Sequence, residues 1–310
     1  MKVGFQMDPI ESLNILGDST FALMLESHKR EHEVFQFTPD DLIYKNNEVF
    51  ASTKKLSSIS DNLDSLYKIE FEEIINLKSL DAVFLRQDPP FNMAYISSTY
   101  LLELIEEDIK IINRPSEVRN CPEKLFLNKW PKLIPQTLIT RNYREIINFR
   151  DKHKKVVVKP LYGNGGSGVF FIKENDKNFS TIIETIFENN KEPLIIQEYL
   201  NEIKDGDKRI ILINGEPSGV INRIPQEKEF RANLHVGGIA TKGKLNENDL
   251  RICSIIGPEL KKRGLVFVGI DIIGEKLTEI NVTSPTGIRE IKKLDKIDLA
   301  EEIISLIEKL

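Results

Sequence analysis

The stretch VFVGIDIIGEKLTEINVTSPTG, residues 266–287, decides the fold class, because two apolar strands flank a Gly-containing turn. Side chains alternate between the two faces of a strand, so Glu279 and Asn281 share one face and Ile280 and Val282 share the other. The alternation therefore predicts one polar face in otherwise apolar surroundings.

The turn determines which residue of the first strand faces Glu279. A three-residue hairpin loop at residues 274–276 predicts that Ile273 pairs with Leu277, which places Asp271 directly opposite Glu279. Two carboxylates and an amide oxygen in apolar surroundings, without a nearby Lys or Arg, favour a hard cation such as Mg²⁺. The alternative is a solvated strand face, and the apolar flanks argue against it.

A glycine-rich loop follows the apolar strand VVVKP, residues 156–160. Glycines let backbone N–H groups approach an anion closely, and Lys159 at the strand end supplies a charge for phosphate oxygens. No Lys-Ser/Thr pair follows the last glycine, so the loop is not a Walker motif. Because it leads into a second strand, it predicts a flap over phosphates, with a flexible hairpin turn as the alternative. The loop residues are Gly163, Asn164, Gly165, Gly166, Ser167 and Gly168.

Two further polar segments are candidates for function. The triplet Asp207-Lys208-Arg209 stands just before a predicted strand, where Arg209 would contact phosphates and Asp205 or Asp207 would orient it; a solvated turn is the alternative. Residues 222–238 are polar and end in glycines. An unstructured stretch of this length inside a domain predicts a lid that keeps water from a reactive intermediate, unless it is a tolerated surface insertion.

Composition excludes several classes of protein. The 310 residues are 40% hydrophobic and 29% charged, which is typical of a soluble globular protein with more than one domain. The net charge of −5, without basic clusters, argues against a nucleic-acid surface, and no apolar run is long enough to span a bilayer. The first ten residues predict a strand and a loop rather than a signal peptide. Cys121 and Cys253 are too few for a disulfide framework or a zinc site, which favours a cytoplasmic location.

The order of predicted elements changes near residues 113–123, where we expect a domain boundary. Before it, strands and helices alternate, which predicts a parallel sheet covered by helices; after it, β-branched strands with Gly turns predict antiparallel α+β structure. In the first part we predict strands at 2–7, 33–37, 81–85 and 110–112, helices at 21–29 (capped by Asp18 or Ser19) and 94–107, and a polar hairpin or loop at 44–64. In the second part we predict helices at 116–130, 143–152, 180–189 and 299–309.

These segments together resemble the ATP-grasp superfamily and, within it, the family of bacterial glutathione synthetases. The segments that carry the resemblance are RQDPPF (86–91), NRPSEVRNCPEKLF (113–126), VKPLYGNGGSGVF (158–170), QEYL (197–200), IKDGDKRI (203–210), RIPQEKEFRANLHVGG (223–238) and residues 264–291. The resemblance implies an α/β and α+β chain. A Rossmann-like N-terminal domain would span residues 1–120 and an ATP-grasp domain residues 121–310, the latter made of a small ATP-lid subdomain (about 124–200) and a C-terminal subdomain (about 201–310).

The resemblance also implies roles for matching positions. Nucleotide-binding positions would be Lys124, Lys159, the loop residues 163–168, Gln197, Glu198, Tyr199, Leu200, Asp207 and Arg209. Catalytic positions would be Arg209, Arg223, Arg231 and Arg289. Substrate-binding positions would be Asp8, Ser19, Arg86, Arg231, Ser284 and Arg289. Metal ligands would be Asp271, Glu279 and Asn281, the same face that strand alternation predicts.

The implied reaction joins γ-glutamylcysteine and glycine into glutathione with ATP and Mg²⁺ or Mn²⁺. The carboxylate is activated as an acyl phosphate, because direct condensation with an amine is uphill in water. A homotetramer without nucleic-acid or membrane partners is expected. His235 is not expected to be catalytic, because the chemistry needs no histidine base. The alternatives are another ATP-grasp carboxylate–amine ligase and a non-catalytic nucleotide-binding module.

Overall fold

The computed structural model describes residues 1–62, 65–227 and 229–309. The first part of the chain forms a mixed sheet with three helices. In chain order its elements are β1 (Lys2–Gln6), α1 (Ser19–Lys29), β2 (Glu33–Phe37), β3 (Leu42–Lys45), β4 (Glu48–Ile59), β5 (Tyr67–Asn76), β6 (Ala82–Leu85), α2 (Met93–Glu103), β7 (Lys110–Ile112) and α3 (Pro115–Asn120).

The predicted parallel sheet is confirmed. Strands β2, β1, β6 and β7 lie side by side in that order and pair in parallel, while β4 pairs antiparallel with β2, β3 and β5. β6 is buried along its whole length, as a central parallel strand covered on both faces must be. The predicted cap of α1 is also present, because Phe21 N–H donates to Asp18 Oδ1 at 2.6 Å.

The expectations for this region are narrowed or corrected at three points. Residues 44–59 adopt the hairpin alternative as parts of β3 and β4, whereas residues 63 and 64 lie outside the described part of the chain. β5 was not predicted, because its largely exposed sequence YKIEFEEIIN carries charged side chains on both faces. The helix predicted at 116–130 is wrong: α3 ends at Asn120, two residues before Pro122. Proline lacks the N–H that a continuing helix needs.

The second part of the chain builds two antiparallel sheets. Its elements are β8 (Thr137–Thr140), α4 (Tyr143–His153), β9 (Val156–Pro160), β10 (Phe170–Ile172), α5 (Phe179–Asn189), β11 (Leu194–Glu198), β12 (Asp207–Ile213), β13 (Glu216–Ile224), β14 (Ile239–Lys242), α6 (Glu247–Lys262), β15 (Phe267–Ile273), β16 (Lys276–Asn281), α7 (Ile288–Asp295) and α8 (Leu299–Ile307). The predicted helices at 143–152, 180–189 and 299–309 are confirmed as α4, α5 and α8. α6 and α7 were not predicted; α6 contains Pro258, and α7 spans only eight residues.

Each sheet has its own packing. The four-stranded sheet, in the order β10-β9-β11-β8, packs with α4 and α5 around a separate apolar cluster that includes Ile146, Val158 and Ile183. The five-stranded sheet, in the order β14-β13-β12-β15-β16, shares two larger apolar clusters with the N-terminal sheet. The N-terminal sheet and the five-stranded sheet therefore have a common core. The four-stranded sheet is a distinct layer with its own core.

Buried Asn113, which directly follows β7, joins the two sheets that share this core. Its Nδ2 donates to the carbonyls of Phe267 and Val282 at 2.7 and 2.8 Å, and its Oδ1 accepts from Phe267 N–H at 2.8 Å. Three hydrogen bonds from one side chain satisfy backbone groups that would otherwise be buried without a partner. None of the helices in the described part of the chain combines the length and apolar character needed to cross a bilayer.

Candidate active site

A cavity between the four-stranded and five-stranded sheets holds about 1460 Å³ of space, part of it open to solvent. Its wall carries five Lys or Arg side chains and six Asp or Glu side chains. Small-molecule sites are concave clefts in which a few polar groups converge, and this cavity has that shape together with a densely charged wall. The charged residues of the wall are Asp88, Glu123, Lys124, Lys159, Glu198, Asp207, Arg209, Arg223, Arg231, Asp271 and Glu279.

The glycine loop forms one wall of this cavity. It connects β9 to β10, which pair antiparallel, so its predicted position between two strands is confirmed. Gly166 has φ +81°, and a Cβ there would lie 2.9 Å from Asn233 Oδ1, so no other residue fits without displacement. The loop is held at two points: Lys124 Nζ donates to the Gly163 carbonyl, and Arg231 Nη1 donates to the Gly166 carbonyl at 2.9 Å.

Two lysines face the region below the loop. Lys159 lies at the end of β9, and burial lowers its pKa while Glu279 opposes that shift. Lys124 is buried and lies 3.8 Å from Glu279 Oε1. Two ammonium groups at one end of a cavity, under a loop rich in backbone N–H groups, are suited to a polyphosphate.

The end of β11 lines the opposite part of the same cavity with Gln197, Glu198, Tyr199 and Leu200. Gln197 Nε2 donates to Thr137 Oγ1 at 2.9 Å, and Glu198 Oε1 accepts from Gln136 N–H at 2.9 Å. Burial raises the pKa of the Tyr199 hydroxyl. Hydrogen bonds to residues 136 and 137 therefore fix the side chains of Glu198 and Gln197 in the cavity wall.

The polar face of β15 and β16 has the predicted register, although the predicted turn is wrong. Asp271 pairs with Glu279, but Ile273 pairs with Lys276, so the hairpin loop has two residues and not three. A bulge between Asp271 and Ile272 restores the register, and the buried Thr278 Oγ1 donates to the Asp271 carbonyl at 3.1 Å. The bulge therefore compensates the shorter loop.

The expectation that this face has no nearby cation is wrong. Arg209 Nε and Nη2 donate to the two Asp271 carboxylate oxygens at 2.5 and 2.9 Å, and Arg223 Nη2 lies 3.0 Å from Asp271 Oδ1. Arg209 pairs directly across the sheet with Asp271, and Asp207 pairs in the same way with Arg223. Asp207 and Arg209 lie inside β12, not before it. Cross-strand pairing thus assembles a buried row of alternating charges.

Ionisation within this row follows from its partners. Burial alone would raise the pKa of Asp271, but Arg209 and Arg223 lower it well below its usual range. Burial raises the pKa of Asp207 to about 7, although Arg223 lowers it. Asp207 Oδ1 is buried and accepts no hydrogen bond from the described residues. Asp271 is therefore a fixed anion, while Asp207 has an unused acceptor in the cavity wall.

The residues of this face fit a divalent cation. Two carboxylates and an amide oxygen are the donors that Mg²⁺ prefers, and Asn281 Nδ2 donates to Asp271 Oδ2 at 3.3 Å, which fixes the amide. Among the described residues no group of three or more His, Cys, Asp and Glu side chains is arranged for a metal, and the third member of this set is an amide. The wall has nearly balanced charge, so a bound triphosphate would need added cations.

The segment predicted as a lid covers the glycine loop. Residues 222–224 belong to the end of β13, and Leu234–Val236 form a short 3-10 helix, so the segment is shorter than predicted. Residue 228 and the side chain of His235 lie outside the description. Arg231 also pairs with Glu229 at 2.6 Å, and this hydrogen bond lowers the pKa of Glu229 to about 2. The acidic lid thus holds its own arginine against the loop.

Four of the predicted substrate residues lie outside the cavity lining. Ser19 is fully buried, Asp8 Oδ2 accepts from Asp88 N–H at 2.9 Å, and Arg289 Nη1 donates to Asp61 Oδ1 at 2.8 Å. The fourth, Arg86, is buried: its Nε donates to Thr20 Oγ1 and its Nη2 to the Pro285 carbonyl, both at 3.0 Å. Ser284 does line the cavity.

Sequence reasoning missed Glu123, Thr283 and Asn113. Glu123 lines the cavity beside Lys124, and its carboxylate accepts from Thr283 Oγ1 at 2.8 Å. Burial raises the pKa of Glu123 and Lys124 lowers it. The positions of Glu123 and Thr283 in the sequence could have indicated that they line the site. Glu123 directly precedes Lys124, a candidate phosphate-binding lysine, and Thr283 lies two residues after Asn281 of the predicted metal face.

Solved structures with the same architecture identify the fold class. The D-cycloserine synthetase DcsG superposes with a TM-score of 0.69 at 13% identity, covering 99% of each chain. The ATP-grasp ligase PsnB superposes with a TM-score of 0.64 at 16% identity, covering 100% of this chain and 99% of that one. At these identities the likeness concerns the fold alone, and the fold is ATP-grasp.

Closer relatives define the family. The sequence models of the prokaryotic glutathione synthetase N-terminal domain and ATP-grasp domain match residues 1–119 and 123–296. The glutathione synthetases of Brucella melitensis and Rhodopseudomonas palustris are each 47% identical to this chain, over 300 and 308 residues; they cover 97% and 99% of it and are themselves covered to 96% and 98%. The chain belongs to the prokaryotic glutathione synthetase family.

Proposed function

We propose that this protein is an ADP-forming carboxylate–amine ligase that joins γ-glutamylcysteine and glycine into glutathione with ATP as co-substrate. The observation that carries the proposal is one cavity that combines a glycine loop with two lysines and a carboxylate–amide face. Full-length membership of the family supports the substrates. The alternatives, a different carboxylate–amine ligase or a non-catalytic module, are not favoured, because Lys124, Lys159, Asp271, Glu279 and Asn281 all line the cavity.

ATP would bind with its base against residues 197–200 and its phosphates under the glycine loop. Lys124 and Lys159 would neutralise the phosphate oxygens, and Asp207 and Arg209 would lie along the ribose and phosphates. Asp271, Glu279 and Asn281 would hold Mg²⁺ or Mn²⁺, and the bound ion would supply further neutralisation of the triphosphate.

The reaction would proceed in two displacements. The cysteinyl carboxylate attacks the γ-phosphorus of ATP, so an acyl phosphate forms and ADP leaves. The glycine amine then attacks the acyl carbon, and phosphate leaves with the electrons of the broken C–O bond. Arg209 and Arg223 would stabilise the negative charge that develops, because they are buried and already aligned by Asp271. Arg231 would close the lid and exclude water, which would otherwise hydrolyse the acyl phosphate.

The substrate carboxylates would bind at the N-terminal side of the cavity, with Asp8, Ser19, Arg86, Arg231, Ser284 and Arg289 contributing. Two buried groups in the described structure support this assignment, because Ser19 Oγ and Arg289 Nη2 have no hydrogen-bond partner there. Since buried donors are normally paired, a ligand carboxylate is a suitable acceptor.

The wider organisation is part of the same proposal. We assign the N-terminal domain to residues 1–120 and the ATP-grasp domain to 121–310, with subdomains at about 124–200 and 201–310. Two buried free thiols, Cys121 and Cys253, are compatible with a reducing, cytoplasmic location. A homotetramer that binds neither nucleic acid nor membrane completes the proposal.

A phosphate-release assay with ATP, Mg²⁺, γ-glutamylcysteine and glycine tests the function, with each component omitted in turn. We expect release to require all four. Release that is independent of γ-glutamylcysteine, or that requires a different pair of amino acids, would contradict the named substrates while leaving the ATP chemistry intact.

A further inference from the structure

A small side pocket opens from the phosphate end of the cavity. It shares Glu123, Lys124 and Thr283 with the cavity wall, and it holds about 320 Å³ of space including its open mouth. The side chains that line only the side pocket are Phe91, Pro122, Leu161 and Tyr162. Its inner wall is therefore apolar, while its mouth is polar.

The N-terminal domain and the glycine-loop region build this wall together. Phe91 and Tyr162 have ring centroids 5.8 Å apart at an angle of 32°, and Phe91 also contacts Tyr95 at 5.2 Å. Leu161 is buried, whereas Tyr162 is 37% exposed. The two rings therefore lie side by side in the wall of the side pocket.

Polar groups at the mouth are already paired with one another. Thr283 Oγ1 donates to the Glu123 carboxylate, and Lys124 Nζ donates to the Gly163 carbonyl. The side chains that line only the side pocket carry no charge, so they offer no counter-ion to a charged substituent. The lining accepts a small uncharged group, and sulfur makes favourable contacts with aromatic rings.

The position of the side pocket identifies its occupant. The carboxylate that accepts a phosphoryl group has to reach the region of Lys124 and Glu279, where the phosphate end lies. The side chain on the adjacent α-carbon is only two bonds from that carboxyl carbon. It must therefore fit into a space that opens directly beside this region, and the side pocket is such a space.

We infer that the side pocket formed by Phe91, Tyr162, Leu161 and Pro122 binds the side chain of the residue whose carboxylate is activated, and so selects a small uncharged group such as CH₂SH. This inference rests on the proposed function and specifies which part of the chain recognises the cysteinyl residue. Phe91 and Tyr162 are specificity-determining residues in this reading.

The test compares two substrates that differ by one methylene: γ-glutamyl-2-aminobutyrate, whose ethyl group resembles CH₂SH in size, and γ-glutamylnorvaline. We expect the wild-type enzyme to prefer the first by at least about tenfold in kcat/KM, the usual scale for one excess methylene in a tight pocket. Phe91→Ala removes a wall, so the preference should fall to about twofold or reverse. Tyr162→Ala should shift it in the same direction.

Phe71→Ala is the matched control, because Phe71 lies on β5 and is 39% exposed outside the cavity. The Phe71→Ala variant should have the same ratio of kcat/KM for the two substrates, and the same KM for ATP, as the wild type. An unchanged preference in folded Phe91→Ala and Tyr162→Ala would overturn the inference alone, as would a wild type that accepts both substrates equally. A wild type that turns over no γ-glutamyl dipeptide with glycine would overturn the proposed function, and the inference with it.

Discussion

Replacing Glu279 with Gln separates catalysis from stability at the predicted metal face. The variant keeps the size of the side chain but removes its charge. Glu279 is partly accessible from the cavity, with its side chain 19% exposed, and its carboxylate lies 3.8 Å from Lys124 Nζ. After the change Lys124 still donates to the Gly163 carbonyl, whereas Lys159 loses the carboxylate that most favours its charged form.

The magnitudes follow from that geometry. An ion pair at this distance contributes about 0–1 kcal/mol to the free energy of unfolding, so the Tm should change by no more than about 2–4 °C. Turnover should behave differently. Even residues that only support metal ligands affect affinity or activity by about 10–100-fold, so the loss of a ligand should lower kcat by at least about 100-fold at fixed Mg²⁺.

Phosphate release measured over a series of Mg²⁺ concentrations, together with thermal unfolding of the ligand-free protein, gives both quantities. Glu275→Gln is the matched control, since Glu275 lies exposed in the turn of the same hairpin and should retain wild-type values. Near-normal turnover in Glu279→Gln would refute the metal assignment. A large fall in Tm would instead refute the claim that this carboxylate contributes little to folding.

Three further predictions concern the buried polar groups. Asp271→Asn should lower the free energy of unfolding by about 3–5 kcal/mol, because Arg209 loses its carboxylate partner and Arg223 loses one of two. Asp207→Asn should gain stability relative to the wild type as pH rises from 5 to 8, by about 2–3 kcal/mol in total. Burial raises the pKa of Asp207 to about 7 in the folded protein, whereas the pKa in the unfolded chain is ~3.9. Between these two values the carboxyl group ionises in the unfolded chain but not in the folded protein. The wild type therefore loses stability as the pH rises, and the Asn variant does not. Asn113→Ala removes three hydrogen bonds to buried backbone and should cost about 2–4 kcal/mol.

Thermal and denaturant unfolding of the ligand-free variants checks all three. An unchanged Tm in Asp271→Asn would show that the two arginines find other partners. A stability difference between Asp207→Asn and the wild type that stays constant with pH would mean that Asp207 does not titrate in this range. For Asn113→Ala the reference is Asn148→Ala, an exposed asparagine on α4 whose amide makes one 3.4 Å hydrogen bond; equal losses would contradict the bridging role.

Sequence patterns predicted the elements whose burial is uniform. β1, β2 and β6 are apolar over most of their length and were located correctly, whereas β5 was missed because it is a largely exposed edge strand with charges on both faces. Period-two alternation depends on one buried face and one solvated face, and β5 lacks a fully buried face. The pattern therefore loses its signal at such edges.

The predicted metal face shows how a local error can leave the register correct. The hairpin loop between β15 and β16 is one residue shorter than predicted, which by itself would rotate Glu279 to the opposite face. The bulge at Thr278 adds one residue to β16 and restores the pairing with Asp271. Because bulges have no strong sequence signal, the correct pairing could be predicted from the pattern, but the reason for it could not.

The cations around Asp271 could not be predicted from the hairpin, because they come from strands distant in sequence. Arg209 lies on β12, 62 residues earlier, and Arg223 lies on β13. Alternation assigns side chains to faces within a strand, but it does not identify the neighbouring strand. Only the sheet order brings the arginines to that face.

Two arginines with predicted roles, Arg86 in substrate binding and Arg209 in nucleotide binding and catalysis, also support the cavity wall. Arg86 Nη2 donates to the Pro285 carbonyl, and Arg209 Nη1 donates to the Thr286 carbonyl at 3.2 Å. Ser284, directly before this loop segment, lines the cavity. Loss of Arg86 would therefore displace the loop even if its guanidinium never touched a ligand. A loss of activity in an Arg86 variant is evidence for substrate binding only if the loop carbonyls keep their positions, and thermal stability measured on the same variant separates the two cases.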